Sequence, residues 1–219
     1  GVAATGTIND PAAPSVNTVT SATAVEGNNL VHTVTLSAAT TNPSTYAFTL
    51  AGNTATAGTD FTNAPTFSNG VTLAAGVLTV PTGVTTFTVT YPTLNDALAD
   101  NGETTALSVG GVAATGTIND PPTVNTVTSA TATEGTNLVH TVTLSGATSN
   151  ATTYAFSLAG NTATAGTDFT NAPVFSNGVT LAAGILTVPT GVSSFTVTYP
   201  TLTDALADNG ETTALSVGG

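Results

Sequence analysis

The sequence predicts an all-β protein built from antiparallel β-sandwiches in tandem. Three observations lead there. Short segments alternate apolar and polar residues, the period-two pattern of strands with one buried and one wet face, and turns rich in Gly, Pro, Asn and Ser separate them. Thr, Val, Ala and Gly dominate the composition, and Thr and Val favour strands. The chain also repeats itself: residues 1–11 (GVAATGTINDP) recur unchanged as 111–121, and residues 16–111 recur as 124–219. The second pair is shifted by 108 residues and differs at twelve mostly mild positions, such as Thr85/Ser193 and Val77/Ile185. That period is too long for an ankyrin or tetratricopeptide unit and suits an independent sandwich domain.

In the first repeat, strand A is expected near 16–23 (VNTVTSAT) and B near 29–37 (NLVHTVTLS). C follows near 44–50 (STYAFTL), where Tyr46, Phe48 and Leu50 share one face. D spans 66–80 in two pieces (TFSNGVTL, then GVLTVP). E lies near 85–91 (TTFTVTY), with Phe87, Val89 and Tyr91 on one face, F near 104–109 (TTALSV) and G near 112–119 (VAATGTIN). Gly110 and Gly111 read as the F–G hairpin turn, since no Lys follows to make a phosphate loop. Seven antiparallel strands in such a repeat describe an immunoglobulin-like β-sandwich. The expected division is 1–11 as the last strand of a preceding repeat, 12–120 as a complete repeat, and 121–219 as a second repeat lacking its last strand. On that reading the chain is a fragment, out of phase with its own repeat.

The charge pattern is one-sided: the chain has twelve Asp and Glu, no Lys or Arg, and a net charge of −12. None of these acids can pair with a basic side chain. Such a balance argues against nucleic acid and anionic membranes as partners. Cys is absent, so disulfides and thiol chemistry are excluded. No apolar run is long enough to span a bilayer, and no signal-peptide pattern is present. With 40% apolar residues in clear alternation, the chain reads as folded rather than as a disordered acidic polymer.

Strand parity then locates the acids. If strands run alternately up and down, the A–B, C–D and E–F loops and the end of G share one end of the sandwich. Glu26 lies in the A–B turn, Asp60 in the C–D loop, Asp96, Asp100 and Glu103 in the E–F loop, and Asp120 at the end of G. The opposite turns carry no acid. Six carboxylates in one patch repel one another. A hard divalent cation relieves this best, and Ca²⁺ takes six to eight oxygen ligands from carboxylates, Asn side chains and carbonyls. Magnesium demands stricter octahedral geometry, and zinc prefers Cys or His. Charge balance suggests about two or three Ca²⁺ per cluster. The competing bland reading is a solvated acidic rim.

The string VEGNN…TAGTDFTN…TFSNGV…LTVPTGVTTFTV…DNGET…GTINDP resembles the extender repeats of giant RTX adhesins of Gram-negative bacteria, which are similar to Calx-β and bacterial immunoglobulin-like domains. The resemblance covers nearly the whole chain. It implies a Calx-β-like stalk unit, exported by a type I system to the bacterial cell surface, repeated many times, and stiffened by Ca²⁺ at each junction for cell adhesion and biofilm formation. The ligand positions it implies are Glu26, Asp60 (before Phe61), Asp96, Asp100, Glu103 and Asp120. In the second repeat they are Glu134, Asp168 (before Phe169), Asp204, Asp208 and Glu211. The chain departs from the Calx-β pattern at the end of G, where Asn119, Asp120 and Pro121 stand in place of several Asps. The nonapeptide calcium repeats of a β-roll are absent.

The expected partners are neighbouring repeats of the same adhesin, linked through a short, semi-rigid Asp120–Pro121–Pro122–Thr123 connection. Each unit of such a rod adds roughly 40–50 Å. Residues 1–11 duplicate strand G, so head-to-tail self-association is also expected, with strand 1–11 of one molecule completing the second repeat of another and Asp10 joining its acids. The alternative function is a calcium-dependent, lectin-like carbohydrate-binding module. Against it stand the position of the acids at the inter-repeat end and the absence of Trp. No enzyme is expected, since no nucleophile–base pair stands out. His32 and His140 alternate with Leu and Val onto one face of strand B and read as structural. The outward Thr residues read as ordinary half-exposed strand positions rather than an ice-binding array.

Overall fold

The computed structural model describes the chain except for residues 8–11, 97, 99 and 206–208. The chain divides into two compact units, Gly1–Asp120 and Pro121–Gly219. In unit 1 one sheet has the order β1 (Val16–Val19), β3 (Asn29–Leu36), β8 (Thr86–Pro92), β5 (Thr66–Phe67). The other has the order β2 (Ala22–Val25), β10 (Val112–Asn119), β9 (Glu103–Val109), β4 (Ser44–Gly52), β7 (Val77–Val80), β6 (Thr72–Ala74). This is an immunoglobulin-like β-sandwich. The alternating residues converge between the sheets as the sequence indicates: Leu30 and Val34 from β3, Phe87, Val89 and Tyr91 from β8, Leu107 and Val109 from β9, and Ile118 from β10 are all buried. Burying each such side chain contributes ~1.5–3 kcal/mol relative to leaving it in water. Gly110 and Gly111, with φ of 59° and 87°, form the two-residue turn joining β9 to β10, where the hairpin twist needs positive φ.

Two expected strands are corrected. Strand A is not one strand over 16–23. Thr20 makes the last contacts with the first sheet: its N–H donates to the Thr33 carbonyl at 3.0 Å and its hydroxyl accepts the Thr33 N–H at 2.8 Å. Ser21 makes the first contact with the other sheet, its hydroxyl accepting the Thr115 N–H at 3.1 Å. The chain therefore changes sheets between β1 and β2. β2 then runs parallel to β10, so the sandwich is not wholly antiparallel. Region D forms three pieces rather than two. β5 pairs with β8, while β6 and β7 form a hairpin that pairs with β4. That hairpin turns on Ala75 and Gly76, and an Ala at positive φ (48°) is a turn that composition does not announce.

His32 is fully buried and structural in its contacts. Its Nδ1–H donates to the Thr20 carbonyl at 2.8 Å, which leaves Nε2 to accept the Tyr91 hydroxyl proton at 3.0 Å. The Tyr91 oxygen lies 2.6 Å from Thr105 Oγ1. Gly116 of β10 lies against this relay. A Cβ there would come within 2.5 Å of Thr105 Oγ1, 2.6 Å of the Tyr91 hydroxyl and 2.9 Å of Leu30 Cδ1.

Unit 2 has the sheets β11 (Val124–Val127), β12 (Asn137–Leu144), β17 (Ser194–Pro200), β14 (Val174–Phe175), and β15 (Thr180–Ala182), β16 (Ile185–Val188), β13 (Thr152–Gly160), β18 (Thr213–Val217), each in that order. The registers match those of unit 1: His140 faces Val197 as His32 faces Val89. Among the described residues, unit 2 has no counterpart of β2 or β10. β18 is therefore a sheet edge, and residues 130–133 form no strand.

Gly116→Ala should lower the stability of unit 1 by about 1–3 kcal/mol, because the methyl overpacks a rigid polar relay. Gly146→Ala in unit 2, where a Cβ meets nothing within 4 Å, should leave the stability of its own unit unchanged. Urea midpoints of the two variants measure the contrast; equal midpoints would contradict the packing argument.

Candidate metal centre

The acid-bearing loops of unit 1 are laced together by backbone hydrogen bonds. The Glu26 N–H donates to the Asn119 carbonyl at 2.9 Å, joining the turn after β2 to the end of β10. The Thr93 N–H donates to the Asn28 carbonyl at 2.8 Å, and the Leu94 N–H to the Asp60 carbonyl at 2.9 Å. The Gly102 N–H donates to the Ile118 carbonyl at 2.9 Å. Phe61 anchors the Asp60 loop: its ring is fully buried, edge-on to Tyr91 with centroids 5.8 Å apart. Asp60 Oδ2 accepts the Thr56 N–H and so shapes its own loop. Asp96 Oδ1 accepts the Leu98 N–H at 2.7 Å. The Asp120 N–H donates to Asn101 Oδ1 at 3.0 Å.

This lacing gathers the carboxylates. One oxygen each from Glu26, Asp96 and Asp100 lie within 4.8 Å of one another. Glu26 is 3% exposed and Asp60 2% exposed. Glu26 Oε1, Asp60 Oδ1, Asp96 Oδ2, Asp100 Oδ1 and Glu103 Oε2 are buried and meet no hydrogen-bond donor. Burial pushes the Glu26 carboxyl up, with Asp96, Asp120 and Asp100 adding repulsion. Asp100 is pushed up by desolvation and then by Asp96, Asp120 and Asp60. Glu103 is raised to about 7, by desolvation first and then by the charges of Asp60 and Asp100. Each of the six acids of this unit is thus either raised or supplies a charge that raises another. Asn119, half-buried at the end of β10, contributes its carbonyl to the Glu26 turn.

The donor set is entirely hard oxygen, several of its atoms are buried without a partner, and the chain carries no Lys or Arg to neutralise them. These features fit Ca²⁺ in chemical character. Glu26, Asp96 and Asp100 would hold it, with Asp60, Glu103 and Asp120 alongside. Two residues outside the acidic set also shape the centre. Asn101 fixes the Asp120 backbone. Asn95 packs under the Glu26 turn, where a Cβ on Gly27 would meet Asn95 Oδ1 at 2.9 Å. The only signal for either was its place beside an acid, in ND and DNG.

Unit 2 places the equivalent residues differently. Glu134 is exposed, and Asp168, Asp204 and Glu211 are half-buried. Among the described residues they form no trio like that of Glu26, Asp96 and Asp100. Asp208 and Asp10 lie outside the described residues.

No protein-family profile matches the chain, and no curated protein matches it. Among solved structures it is similar to the CBD12 fragment of CALX1.2, at 18% identity over 83% of this chain and 74% of that one, with a TM-score of 0.41. It is similar to the I9–I11 tandem of titin at 10% identity over 86% and 65%, with a TM-score of 0.35. It is also similar to the tandem Ig repeats of Dlar, at 12% identity over 87% and 97%, with a TM-score of 0.25.

The raised pKa of Glu103 sets the sign of a pH effect. In the metal-free protein, folded Glu103 holds its proton more tightly than the unfolded chain does. Its contribution to stability is complete below its ordinary value of 4.5 and is lost as pH rises through about 7. Burial lowers the His32 pKa, which works the opposite way: its contribution is present above its ordinary value of 6.5 and is lost as pH falls. Comparing variant with parent at each pH removes the His32 effect. With EGTA present, Glu103→Gln should raise the melting temperature at pH 8 and give little or no gain at pH 4. The same gain at both would show that repulsion is not the cause.

Proposed function

We propose that the chain is a structural extender module of a large secreted bacterial adhesin, in which Ca²⁺ at the acid end of each sandwich stiffens the passage to the next unit. The observation that carries this reading is the set of buried, unpartnered carboxylate oxygens in unit 1, in a chain without Lys or Arg. The set includes the neighbourhood of Asp120, whose peptide bond leads directly into unit 2 at Pro121. The sequence resemblance to extender repeats supports the adhesin and cell-surface setting. Among the described residues, no helix is long and apolar enough to cross a membrane.

The protein's own part in such a stalk is positional. β10 holds the Glu26 turn, Phe61 holds the Asp60 loop, and Pro121 and Pro122 limit the freedom of the connection. When bound, Ca²⁺ supplies the positive charge that lets these acids stay ionised and close together. Because the sites form only in the folded state, binding stabilises it by about 2.7 kcal/mol per site at 100-fold excess over Kd.

Calorimetric titration with Ca²⁺ should give saturable binding, and melting temperature should rise relative to EGTA. Glu26→Gln/Asp100→Asn should lose most of that rise. Small-angle scattering should give a longer, stiffer particle with Ca²⁺ than with EGTA. Unchanged melting and unchanged length would overturn the reading. Calcium-dependent glycan binding by the chain would instead favour the carbohydrate-binding alternative.

A further inference from the structure

The chain contains four Asn–Gly pairs, at 69–70, 101–102, 177–178 and 209–210. Such a pair is reactive because Gly has no Cβ to shield its amide nitrogen, which can reach the side-chain carbonyl carbon of the Asn before it. The two pairs of unit 1 are held in different ways. Asn69 and Gly70 form a tight turn with φ of 55° and 70°. The Asn69 Nδ2–H donates to the Thr86 carbonyl at 2.6 Å. The turn is closed on both sides, by the Ser68 N–H on the Thr88 carbonyl at 3.3 Å and the Val71 N–H on the Ser68 carbonyl at 3.2 Å. Asn177 repeats the side-chain bond, with Nδ2 2.7 Å from the Ser194 carbonyl. At these positions the side-chain amide is a working part of the turn.

Asn101 and Gly102 lie exposed in the loop before β9, and a Cβ on Gly102 would meet nothing within 4 Å, so water reaches the pair freely. Two hydrogen bonds hold it, and both run to the end of β10. Asn101 Oδ1 accepts the Asp120 N–H at 3.0 Å, and the Gly102 N–H donates to the Ile118 carbonyl at 2.9 Å. The first bond keeps the Asn101 side chain on Asp120. The second occupies the nitrogen that would attack it. The same loop carries Asp96, Asp100 and Glu103, whose repulsion within the acid cluster works to open it.

We propose that Asn101 is a site of spontaneous deamidation, gated by these two bonds, that adds a further carboxylate to the acid end of unit 1. When the loop lifts from β10, the Gly102 nitrogen loses its proton to hydroxide and bonds to Asn101 Cγ. The Cγ–Nδ2 bond breaks, and Nδ2 leaves as ammonia after taking a proton from water. The succinimide so formed is opened by water. Attack at Cγ gives an aspartyl residue, and attack at the main-chain carbonyl gives an isoaspartyl one. The net change consumes one water and releases one ammonia, with no oxidation or reduction. The aspartyl product still accepts the Asp120 N–H but adds a negative charge beside Asp100. The isoaspartyl product inserts a methylene into the main chain before Gly102 and draws its N–H away from the Ile118 carbonyl. The inference stands on the two hydrogen bonds and not on the proposed calcium stalk.

Incubation of the full chain at pH 8 with EGTA, folded and in guanidinium chloride, tests it. The chain has no Lys or Arg for trypsin, so a glutamate-specific protease is used, and its fragments 27–103 and 135–211 separate the two units. Fragmentation mass spectrometry then assigns the product to Asn69 or Asn101, and ammonia release with an isoaspartyl methyl-acceptor assay identifies the chemistry. In the folded chain product should form at Asn101 before Asn69. It should form at least ~10-fold faster at Asn101 in denaturant, where no local opening is needed. Asn101→Gln, whose longer side chain would have to close a six-membered ring, should abolish product at that position and leave Asn69 as before. Asn101→Asp should lower the melting temperature in EGTA, and added salt should shrink the loss by screening the new charge. No product at Asn101, product appearing first at Asn69, equal rates in the folded and unfolded chain, or unchanged melting of Asn101→Asp would overturn the proposal.

Discussion

The pairing of β10, with β9 on one side and β2 on the other, is the interaction on which the rest of unit 1 depends. It fixes Gly116 over the His32–Tyr91–Thr105 relay and brings Ile118 into the core. It also delivers the Asn119 carbonyl to the Glu26 N–H. The acid end is thus assembled by a strand whose own side chains supply none of the carboxylates. Asp120 follows directly after it, so the strand that closes the sandwich also carries the last acid to the cluster.

Charge sets a second constraint that opposes the first. Backbone pairing forces carboxylates together that would separate in water, and burial makes their ionised forms costlier still. The result is a set of acids whose pKa values rise jointly, with Glu103 reaching about 7. Near neutral pH such a cluster either keeps protons or takes a cation. The same cluster therefore couples folding to pH and, under the proposed function, to Ca²⁺ as well; a structure that merely tolerated surface acids would show neither the burial nor the orphaned oxygens.

Much of this was legible in the sequence because its signals are local and periodic. The inward residues of β3, β4 and β8 follow from simple alternation, and the shared end of Glu26, Asp60, Asp96, Asp100, Glu103 and Asp120 follows from counting strand reversals. What escaped was set by contacts distant in sequence. VNTVTSAT alternates smoothly, yet Thr20 bonds one sheet and Ser21 the other, and nothing local marks the change. The β6–β7 hairpin turns on Ala75, which carries no turn signature. The histidine was legible as structural, but its Tyr91 and Thr105 partners lie on other strands and become neighbours only in the fold.

The repeat itself sharpens this point. Unit 2 carries the same Leu, His, Thr and Glu as unit 1 at four matched positions, yet Leu138, His140, Thr213 and Glu134 are each more exposed than Leu30, His32, Thr105 and Glu26. Phe195, Val197, Leu186 and Val188, which answer to Phe87, Val89, Leu78 and Val80, stay buried, so the core on the far side of the sandwich is intact. The affected residues are those that β10 and β2 cover in unit 1. The state of a side chain here is decided by whether one further strand lies against it.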